Sequence, residues 1–252
     1  MAFAAVGSDM LYERQVATLI ADWAVSAAGA PNASVLEEED VTVGLFPAGP
    51  ERDIFNNALL ARGMDAQRSE RAATVMERAY AAAGIGRYAA WAHEADAATI
   101  DVLARRDYRL AETTRAMAMS LADLASPRPE CEPAPSDWAD YLRILRAEGL
   151  PDGLLAGVDP GAYHVRIAQL DGRAVASALG LDHGGDCGIF NVGTFPEARR
   201  RGLATALTGV HMHDARDRGC TTASLQATPM AERLYASLGF RDLGRFLEFA
   251  PA

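Results

Sequence analysis

The sequence contains no lysine, and all 24 of its basic residues are arginine. Without lysine, the protein cannot use Schiff-base chemistry, a lysine general base or a lysine-dependent phosphate-binding loop. An arginine-only basic set in an alanine-rich chain is typical of a GC-rich bacterial genome. This absence excludes three mechanisms and predicts a bacterial source, but it does not select a function.

Positive charge and cysteine are also scarce. The 34 acidic residues against 24 arginines give a formal charge of -10, which argues against a nucleic-acid-binding body and is compatible with cationic substrates. Cys131, Cys187 and Cys220 lack metal or redox spacing, and five scattered histidines indicate no metal site. No apolar run could span a bilayer, and residues 1–6 lack the basic n-region typical of a signal peptide. We therefore expect a reduced cytoplasmic protein without a metal, a nucleic acid or a membrane as partner.

A proline-rich segment divides the chain. Four prolines lie between Ser126 and Pro135, where neither a helix nor a central strand can continue. Because 252 residues allow two domains that each bury a core, we predict domains at 1–126 and 136–252, joined by a linker at 127–135. The alternation of predicted helices and strands indicates α/β (α+β) folds.

Hydrophobic periodicity predicts the elements of both halves. In the first half, helices are expected at 10–28, 69–83 and 96–106, strands at 41–46 and 88–93, and one or two strands at 108–121. The acidic run 37–40 is expected in a solvated turn. In the second half, the order is a helix at 138–148, strands at 162–170, 174–181 and 187–194, a helix at 200–218, a strand at 222–227, a helix at 230–238 and closing strands at 240–249.

Three consecutive arginines, Arg199, Arg200 and Arg201, precede the long helix of the second half. They lie at the helix end where the macrodipole favours negative charge. A solvated arginine cluster is one interpretation. The other is a bound phosphate or pyrophosphate, held by free backbone N–H groups, the helix dipole and the guanidinium groups. Gly202 and Ala204 would let such an anion approach the backbone closely.

These residues also resemble a known family. The pattern Arg199-x-x-Gly202-x-Ala204, preceded by a strand and a proline, is similar to the acetyl-CoA pyrophosphate loop of the GNAT superfamily of N-acetyltransferases. Downstream, residues 225–240 resemble the second motif of that family, a strand and a helix that carries Leu-Tyr and closes in Leu-Gly-Phe. The resemblance covers residues 138–252 and implies a mixed, mostly antiparallel sheet flanked by helices.

The resemblance implies a role for each matching residue. Tyr235 would protonate the departing CoA thiolate, which a tyrosine hydroxyl can do; the alternative is that its ring only packs. Backbone groups at the end of the fourth strand would bind the pantetheine arm and polarise the thioester carbonyl, and they belong to Val192, Gly193 and Thr194. The groups that would hold the pyrophosphate belong to Arg199, Arg200, Arg201, Gly202, Leu203, Ala204 and Thr205.

The resemblance does not identify the general base. Many relatives place a glutamate on the fourth strand, at the position held here by Gly188, which cannot act as a base. Asp182, His183 and Asp186 lie nearby in sequence and could act directly or through water, although residues of such turns are usually only solvated.

The remaining reactive side chains are expected to be structural. The amine attacks the thioester directly, so no covalent enzyme intermediate is required. Cys187 and Cys220 are therefore expected to be buried packing residues. His211 and His213 fall within the long helix, where we expect a place on the helix surface.

The first half has a weaker likeness to the second. When residues 99–108 are aligned with the second motif, Leu103 takes the place of Tyr235. No arginine loop precedes the helix near residue 69. The likeness implies a degenerate, non-catalytic GNAT-like domain at 1–126 in tandem with a catalytic domain at 136–252. The alternative is an unrelated α/β domain or a helical extension.

The sequence therefore predicts an acetyl-CoA-dependent N-acetyltransferase that acts on a primary amine of a small molecule or peptide. One alternative is a non-catalytic acyl-CoA-binding regulatory module, which the absence of a base at Gly188 favours. A second alternative is a nucleotide-binding protein that uses the arginine loop for phosphates. The acceptor amine and the oligomeric state stay open, a homodimer included.

Overall fold

The computed structural model describes residues 7–48, 55–129, 138–147, 149 and 155–252. Most of the linker predicted at 127–135, and Cys131 with it, lies outside these residues. The helices are α1 (Ser8–Gly29), α2 (Ala66–Ala82), α3 (Ala97–Arg105), α4 (Trp138–Ala147), α5 (Leu203–Asp217) and α6 (Glu232–Ser237). The strands are β1 (Ser34–Glu38), β2 (Val41–Leu45), β3 (Asn57–Leu60), β4 (Ala89–His93), β5 (Tyr108–Ser120), β6 (His164–Leu170), β7 (Arg173–His183), β8 (Asp186–Thr194), β9 (Thr222–Ala227) and β10 (Arg241–Pro251). No described helix is both long and apolar enough to cross a membrane.

The described strands form one mixed sheet, hydrogen-bonded in the order β1-β2-β3-β4-β10-β5-β9-β8-β7-β6. This corrects the expectation of a separate sheet in each of two domains. Two compact units are present: unit 1 contains Met1–Asp22 and Ala116–Leu243, and unit 2 contains Trp23–Arg115 and Gly244–Ala252. Strands β5 and β10 therefore contribute to both units. Periodicity indicates that a strand exists but not which neighbours it pairs with, and the division predicted at 127–135 stays a prediction.

In unit 1, β6, β7 and β8 are successive antiparallel neighbours, and β8 runs parallel to β9. Helix α5 provides the crossover that a parallel pair requires, and α6 joins β9 to β10. Because side chains alternate along a strand, β8 has two different faces. Ile189 packs into a core with Met212 of α5 and Tyr235 of α6. Gly188, one residue earlier, faces Thr18 of α1.

Unit 2 has the same order of elements. Strands β1, β2 and β3 are successive antiparallel neighbours, and β3 runs parallel to β4. Helix α2 joins β3 to β4, and α3 joins β4 to β5. The core of this unit contains Met76 and Tyr80 of α2 together with Leu103 of α3.

The predicted elements differ from the structure mainly in unit 2. The prediction misses β1, whose Glu37 and Glu38 belong to a partly exposed strand instead of a turn. It also misses β3, because all four residues of this strand are buried and the sequence therefore lacks polar alternation. Residues 108–120 form one long strand. The other elements agree with the prediction to within a few residues.

Candidate active site

The two parallel strands of unit 1 pair over only part of their length. Strands β8 and β9 are in register from Asp186 opposite Thr222 to Ile189 opposite Leu225. Beyond Ile189, β8 continues for five residues to Thr194, and β9 continues for two. Beyond this last pair the two strands are no longer paired with each other, and we call the region between their unpaired ends the β8–β9 opening.

A β-bulge lies in the part of β8 beyond the last pair. On the β7 side, Leu179 pairs with Phe190 and Ser177 pairs with Gly193. Asn191 and Val192 therefore stand opposite a single residue, which defines a bulge. Asn191 has a left-handed backbone with φ 49°. Because a bulge re-aims the backbone, it changes how residues 192–194 present their N–H and C=O groups.

Two buried polar atoms belong to the segments of β8 and β9 beyond their last pair. The Thr194 hydroxyl and the Gln226 amide nitrogen have no hydrogen-bond partner among the described residues. Thr194 ends β8, and Gln226 is the first residue of β9 beyond the last pair. A buried polar group without a partner costs about 1–3 kcal/mol. A polar ligand in the β8–β9 opening would remove that cost.

The segment after β8 leads into a helix start without a side-chain cap. The Phe195 N–H donates to the Val175 carbonyl at 2.9 Å, and a 3-10 turn follows at Pro196–Ala198. Arg200 and Gly202 have positive φ values of 64° and 76°. Gly202 is the N-cap of α5 and offers no side chain to its first N–H groups. No side chain of the described residues caps these groups, so they are available to bind an anion.

The conformation of Gly202 explains why glycine stands there. A Cβ at this position would meet no protein atom within 4 Å. Crowding by the protein therefore does not require glycine, whereas φ 76° does, because it is costly for other residues. This refines the expectation from the sequence, which invoked only the close approach of a ligand.

The three arginines lie around the start of α5. The Arg199 Nε donates to the Thr194 carbonyl at 3.0 Å and so ties the loop to the end of β8. Arg200 and Arg201 are exposed, and no hydrogen bond or ion pair joins their side chains to another described residue. Their charges are therefore available to a phosphate group.

Tyr235 lies in α6 and is only 6% exposed. Its ring meets Phe240 edge-on, with centroids 6.0 Å apart. It shares a core with Ile189 and Leu225, the last paired residues of β8 and β9, and Val192 packs against that core. Burial raises the pKa of Tyr235 to about 12, so the hydroxyl keeps its proton at neutral pH. The structure brings Tyr235 and Val192 to one cluster, and the role of Tyr235 as proton donor stays a prediction.

The position at which the resemblance leads us to expect a glutamate, held here by Gly188, has no room for a side chain. A Cβ at Gly188 would lie 2.6 Å from both Phe190 Cε2 and Thr18 Cγ2. No larger side chain fits there unless helix α1 or the Phe190 ring moves. This strand position therefore supplies no base in this protein.

The acids and the histidine near Gly188 in sequence lie at the other end of β8. Asp186 begins the strand, eight residues before Thr194, which is about 26 Å along an extended chain. It is 1% exposed and accepts hydrogen bonds from the hydroxyl groups of Thr18, Thr222 and Ser224. Asp182 binds the Arg218 guanidinium at 2.6 and 2.8 Å, and His183 is exposed. The structure does not bring these candidates together with Tyr235.

Two expected surface histidines are buried. His211 and His213 are 0% and 5% exposed, so the expectation of a helix-surface position was wrong. The reason is that α5 is buried on several faces and not on one alone. The His211 Nε2 lies 3.2 Å from the Ala178 carbonyl, and burial lowers its pKa to about 4.

The two described cysteines are packing residues. Cys187 and Cys220 are both buried, and burial raises the pKa of each thiol, which disfavours the nucleophilic thiolate. Within the described residues, no group of three or more His, Cys, Asp and Glu side chains could hold a metal ion.

Sequence reasoning misses a polar cluster beside the bulge. Asp22 of α1 accepts a hydrogen bond from the Tyr163 hydroxyl at 2.8 Å. The Asn191 Nδ2 donates to the Tyr141 hydroxyl of α4 at 2.9 Å. Trp138 packs against both tyrosine rings, with centroids 4.9 Å from Tyr141 and 6.1 Å from Tyr163, so the two pairs lie near each other. Burial raises the pKa of Tyr141, the bond from Asn191 lowers it, and the charge of Asp22 adds to the rise. We call the four residues of these two pairs the Asp22 cluster; they come from separate segments, which no spacing rule could have combined.

Comparison with known proteins agrees with this geometry. Residues 118–240 match the family model described as the Acetyltransferase (GNAT) family. The matched segment contains the β8–β9 opening, the start of α5 and Tyr235, and it begins in β5, earlier than the resemblance at 138–252. The chain has the fold of the GNAT acetyltransferases, a family of transferases that use acetyl-CoA as cosubstrate.

Solved structures resemble the whole chain. A GCN5-related N-acetyltransferase from Kribbella flavida has 18% identity and a TM-score of 0.72, with 96% of this chain and 95% of that chain covered. One from Sphaerobacter thermophilus has 17% identity, a TM-score of 0.60 and coverages of 98% and 93%. A GCN5-related N-acetyltransferase-like protein from Streptococcus suis has 18% identity, a TM-score of 0.56 and coverages of 96% and 99%. At these identities the likeness concerns the fold alone. A search of curated proteins finds no match.

Proposed function

We propose that this protein transfers the acetyl group of acetyl-CoA to a primary amine of a small molecule or peptide. The observation that carries this proposal is the β8–β9 opening, which leads into a helix start with free N–H groups. CoA has a matching form, because an extended amide-containing arm ends in a pyrophosphate. The arm suits the unpaired strand edge, and the pyrophosphate suits the helix start.

The residues divide the work along this path. Backbone groups of residues 192–194 bind the arm and polarise the thioester carbonyl beside the bulge. The N–H groups of residues 200–205, with the arginine side chains, hold the pyrophosphate. Bound acetyl-CoA supplies the activated acetyl group. Tyr235 keeps its proton until sulfur departs and then donates it.

We also propose that the N-terminal half contains a degenerate copy of the fold. The support is that units 1 and 2 share the order of three antiparallel strands, a helix, a parallel strand, a helix and a further strand. In this proposal acetyl-CoA binds to unit 1 only, with one molecule per chain.

Calorimetric titration with acetyl-CoA and a thiol-release assay over a panel of amines test the proposed activity. We expect saturable binding and a release of CoA thiol that requires an amine. Binding without thiol release from any amine would favour the regulatory-module alternative. Binding of ATP without binding of acetyl-CoA would overturn the proposal in favour of a nucleotide-binding protein.

A further inference from the structure

Helix α1 contacts both β8 and β9 on the face of the sheet that Gly188 faces. The Gln15 Nε2 donates to the Leu225 carbonyl at 2.6 Å, at the last pair of β8 and β9. Thr18 covers Gly188. Asp22 comes one helical turn later on the same face, about 6 Å farther along the helix axis. The Tyr163 hydroxyl donates to Asp22, and the next residue, His164, lies level with Ile189 of β8 because both pair with Gly180 of β7. Asp22 is therefore held near the level of the last β8–β9 pair.

The Asp22 cluster links this carboxylate to the bulge. Asn191, which binds Tyr141, immediately precedes Val192, the residue proposed to polarise the thioester. Trp138 packs against Tyr141 with ring centroids 4.9 Å apart and also stacks on Tyr163. The surroundings of Asp22 are therefore aromatic and sparsely polar, and they adjoin the backbone at which the acetyl group would be held.

Asp22 is a titratable group that pairs with no charged side chain in the described parts of the chain. Among the described residues, the titratable groups that face it are the hydroxyls of Tyr163, before β6, and Tyr141, on α4. No arginine or second carboxylate pairs with it there. Removing a carboxylate even partly from water without a compensating cation costs free energy, and neither the fold nor the proposed cofactor site accounts for a half-buried Asp22.

We infer that Asp22 is the general base of the proposed acetyl transfer, an inference that rests on the proposed function. The carboxylate comes from α1 and replaces the glutamate that Gly188 cannot provide. A half-buried carboxylate among aromatic rings can accept a hydrogen bond from a neutral amine, and desolvation raises its pKa toward the value that suits a general base. The amine would therefore approach the thioester from the face of β8 that α1 covers.

Asp22 and Tyr235 are the only protein groups that exchange protons in the proposed reaction. The lone pair of the amine nitrogen forms a bond to the thioester carbon, and the C–S bond breaks as the tetrahedral intermediate collapses. One nitrogen proton passes to the Asp22 carboxylate, and the Tyr235 hydroxyl proton passes to sulfur. Exchange with water restores both residues, so the net transfer is one proton from nitrogen to sulfur.

The first test is Asp22→Asn, which keeps the shape of the side chain and removes the base. We expect kcat/KM for the amine to fall by about 100-fold, a typical contribution of a positioned base, with unchanged acetyl-CoA affinity. Asp182→Asn is the matched control, because Asp182 lies at the other end of β8, and it should retain turnover. Thiol release that is equal in Asp22→Asn and wild type would overturn the inference and leave the proposed function standing.

The second test is Tyr163→Phe, which should change the pKa of the proposed base while leaving its carboxylate in place. Burial raises the pKa of Asp22 to about 6, and the hydrogen bond from Tyr163 opposes that rise. A base acts when deprotonated, so the acidic limb of the kcat/KM profile should have its midpoint near pH 6 in the wild type. Removal of the Tyr163 hydroxyl should move that midpoint to higher pH. The same shift should be seen in an NMR titration of the Asp22 carboxyl carbon without substrate.

These outcomes separate the inference from the proposed function. If the wild type releases no thiol with any amine, the proposed function fails and the assignment of Asp22 fails with it. Suppose that the wild type is active and that Tyr163→Phe shifts the NMR titration midpoint of Asp22. If the acidic limb of the kcat/KM profile then stays where it is in the wild type, Asp22 is not the base. If Asp22→Asn does not fold by circular dichroism, the Tyr163→Phe profile alone decides.

Discussion

The helix starts at β8–α5 and β3–α2 hold the same place in the order of elements of units 1 and 2, yet their N–H groups are satisfied differently. Helix α5 begins after Gly202, which provides no side-chain cap. Helix α2 begins after Asp65, whose carboxylate accepts a hydrogen bond from the Arg68 N–H at 2.8 Å. The Arg68 side chain binds Asp40 through two nitrogens. In unit 2 the Asp65 carboxylate therefore caps the helix start, whereas the corresponding helix start in unit 1 has no side-chain cap.

The parallel strand pairs of the two units also differ, in how far the first strand extends beyond its last pair. Strand β3 extends only one residue, Leu60, beyond its last pair with β4, whereas β8 extends five residues beyond Ile189. In unit 2 no comparable gap forms between the parallel strands that are described. Leu103, aligned with Tyr235, is fully buried in the core. An open strand pair, an uncapped helix and a tyrosine thus occur together in one unit and are missing together in the other, so the order of elements alone does not make the site.

The largest expected effect concerns the left-handed glycines of the two loops. In Gly202→Val, the strained φ and the β-branched side chain would displace the N–H groups at the start of α5. If two charge-assisted hydrogen bonds are lost, about 3 kcal/mol, acetyl-CoA affinity should fall by about 100-fold. Titration calorimetry measures this loss.

Gly63→Val is the matched control for that loss. Gly63 has φ 70°, and a Cβ added to it, as at Gly202, would meet no protein atom within 4 Å. Each variant should lose about 1–3 kcal/mol of stability through backbone strain, but Gly63→Val should bind acetyl-CoA normally. Equal loss of binding in both variants would show that strain, and not the anion site, is responsible.

The next effect concerns two buried tyrosines, one on a helix of each unit. Tyr235→Phe removes the proposed proton donor and should lower kcat by about 100-fold while acetyl-CoA affinity is unchanged. Tyr80→Phe is the control, because the Tyr80 hydroxyl is also buried and has no partner among the described residues. Thiol release under saturating acetyl-CoA measures both. Full turnover in Tyr235→Phe would remove the acid assignment.

The two helix starts also show what the sequence can predict. The arginine loop and the helix after it are local in sequence, so their position in the structure agrees with the prediction. The Asp22 cluster combines α1, α4, β8 and the segment before β6, and its residues meet only after the sheet and helix α1 have packed. The burial of His211 likewise depends on neighbours of α5 that periodicity does not reveal. Local geometry could thus be predicted from spacing, whereas contacts between distant segments could not.

The smallest expected effect tests whether unit 2 merely masks an anion site. Asp65→Ala removes the cap of α2 and should cost about 1 kcal/mol, which corresponds to a lower Tm by about 2–4 °C. Asp65→Asn should retain most of that stability, because asparagine is an equally good cap. In both variants calorimetry should still give one acetyl-CoA per chain, since β3 and β4 leave no gap for the pantetheine arm. Binding of a second acetyl-CoA molecule to Asp65→Ala would mean that the Asp65 carboxylate alone prevents binding to unit 2. An open strand pair would then not be required for acetyl-CoA binding.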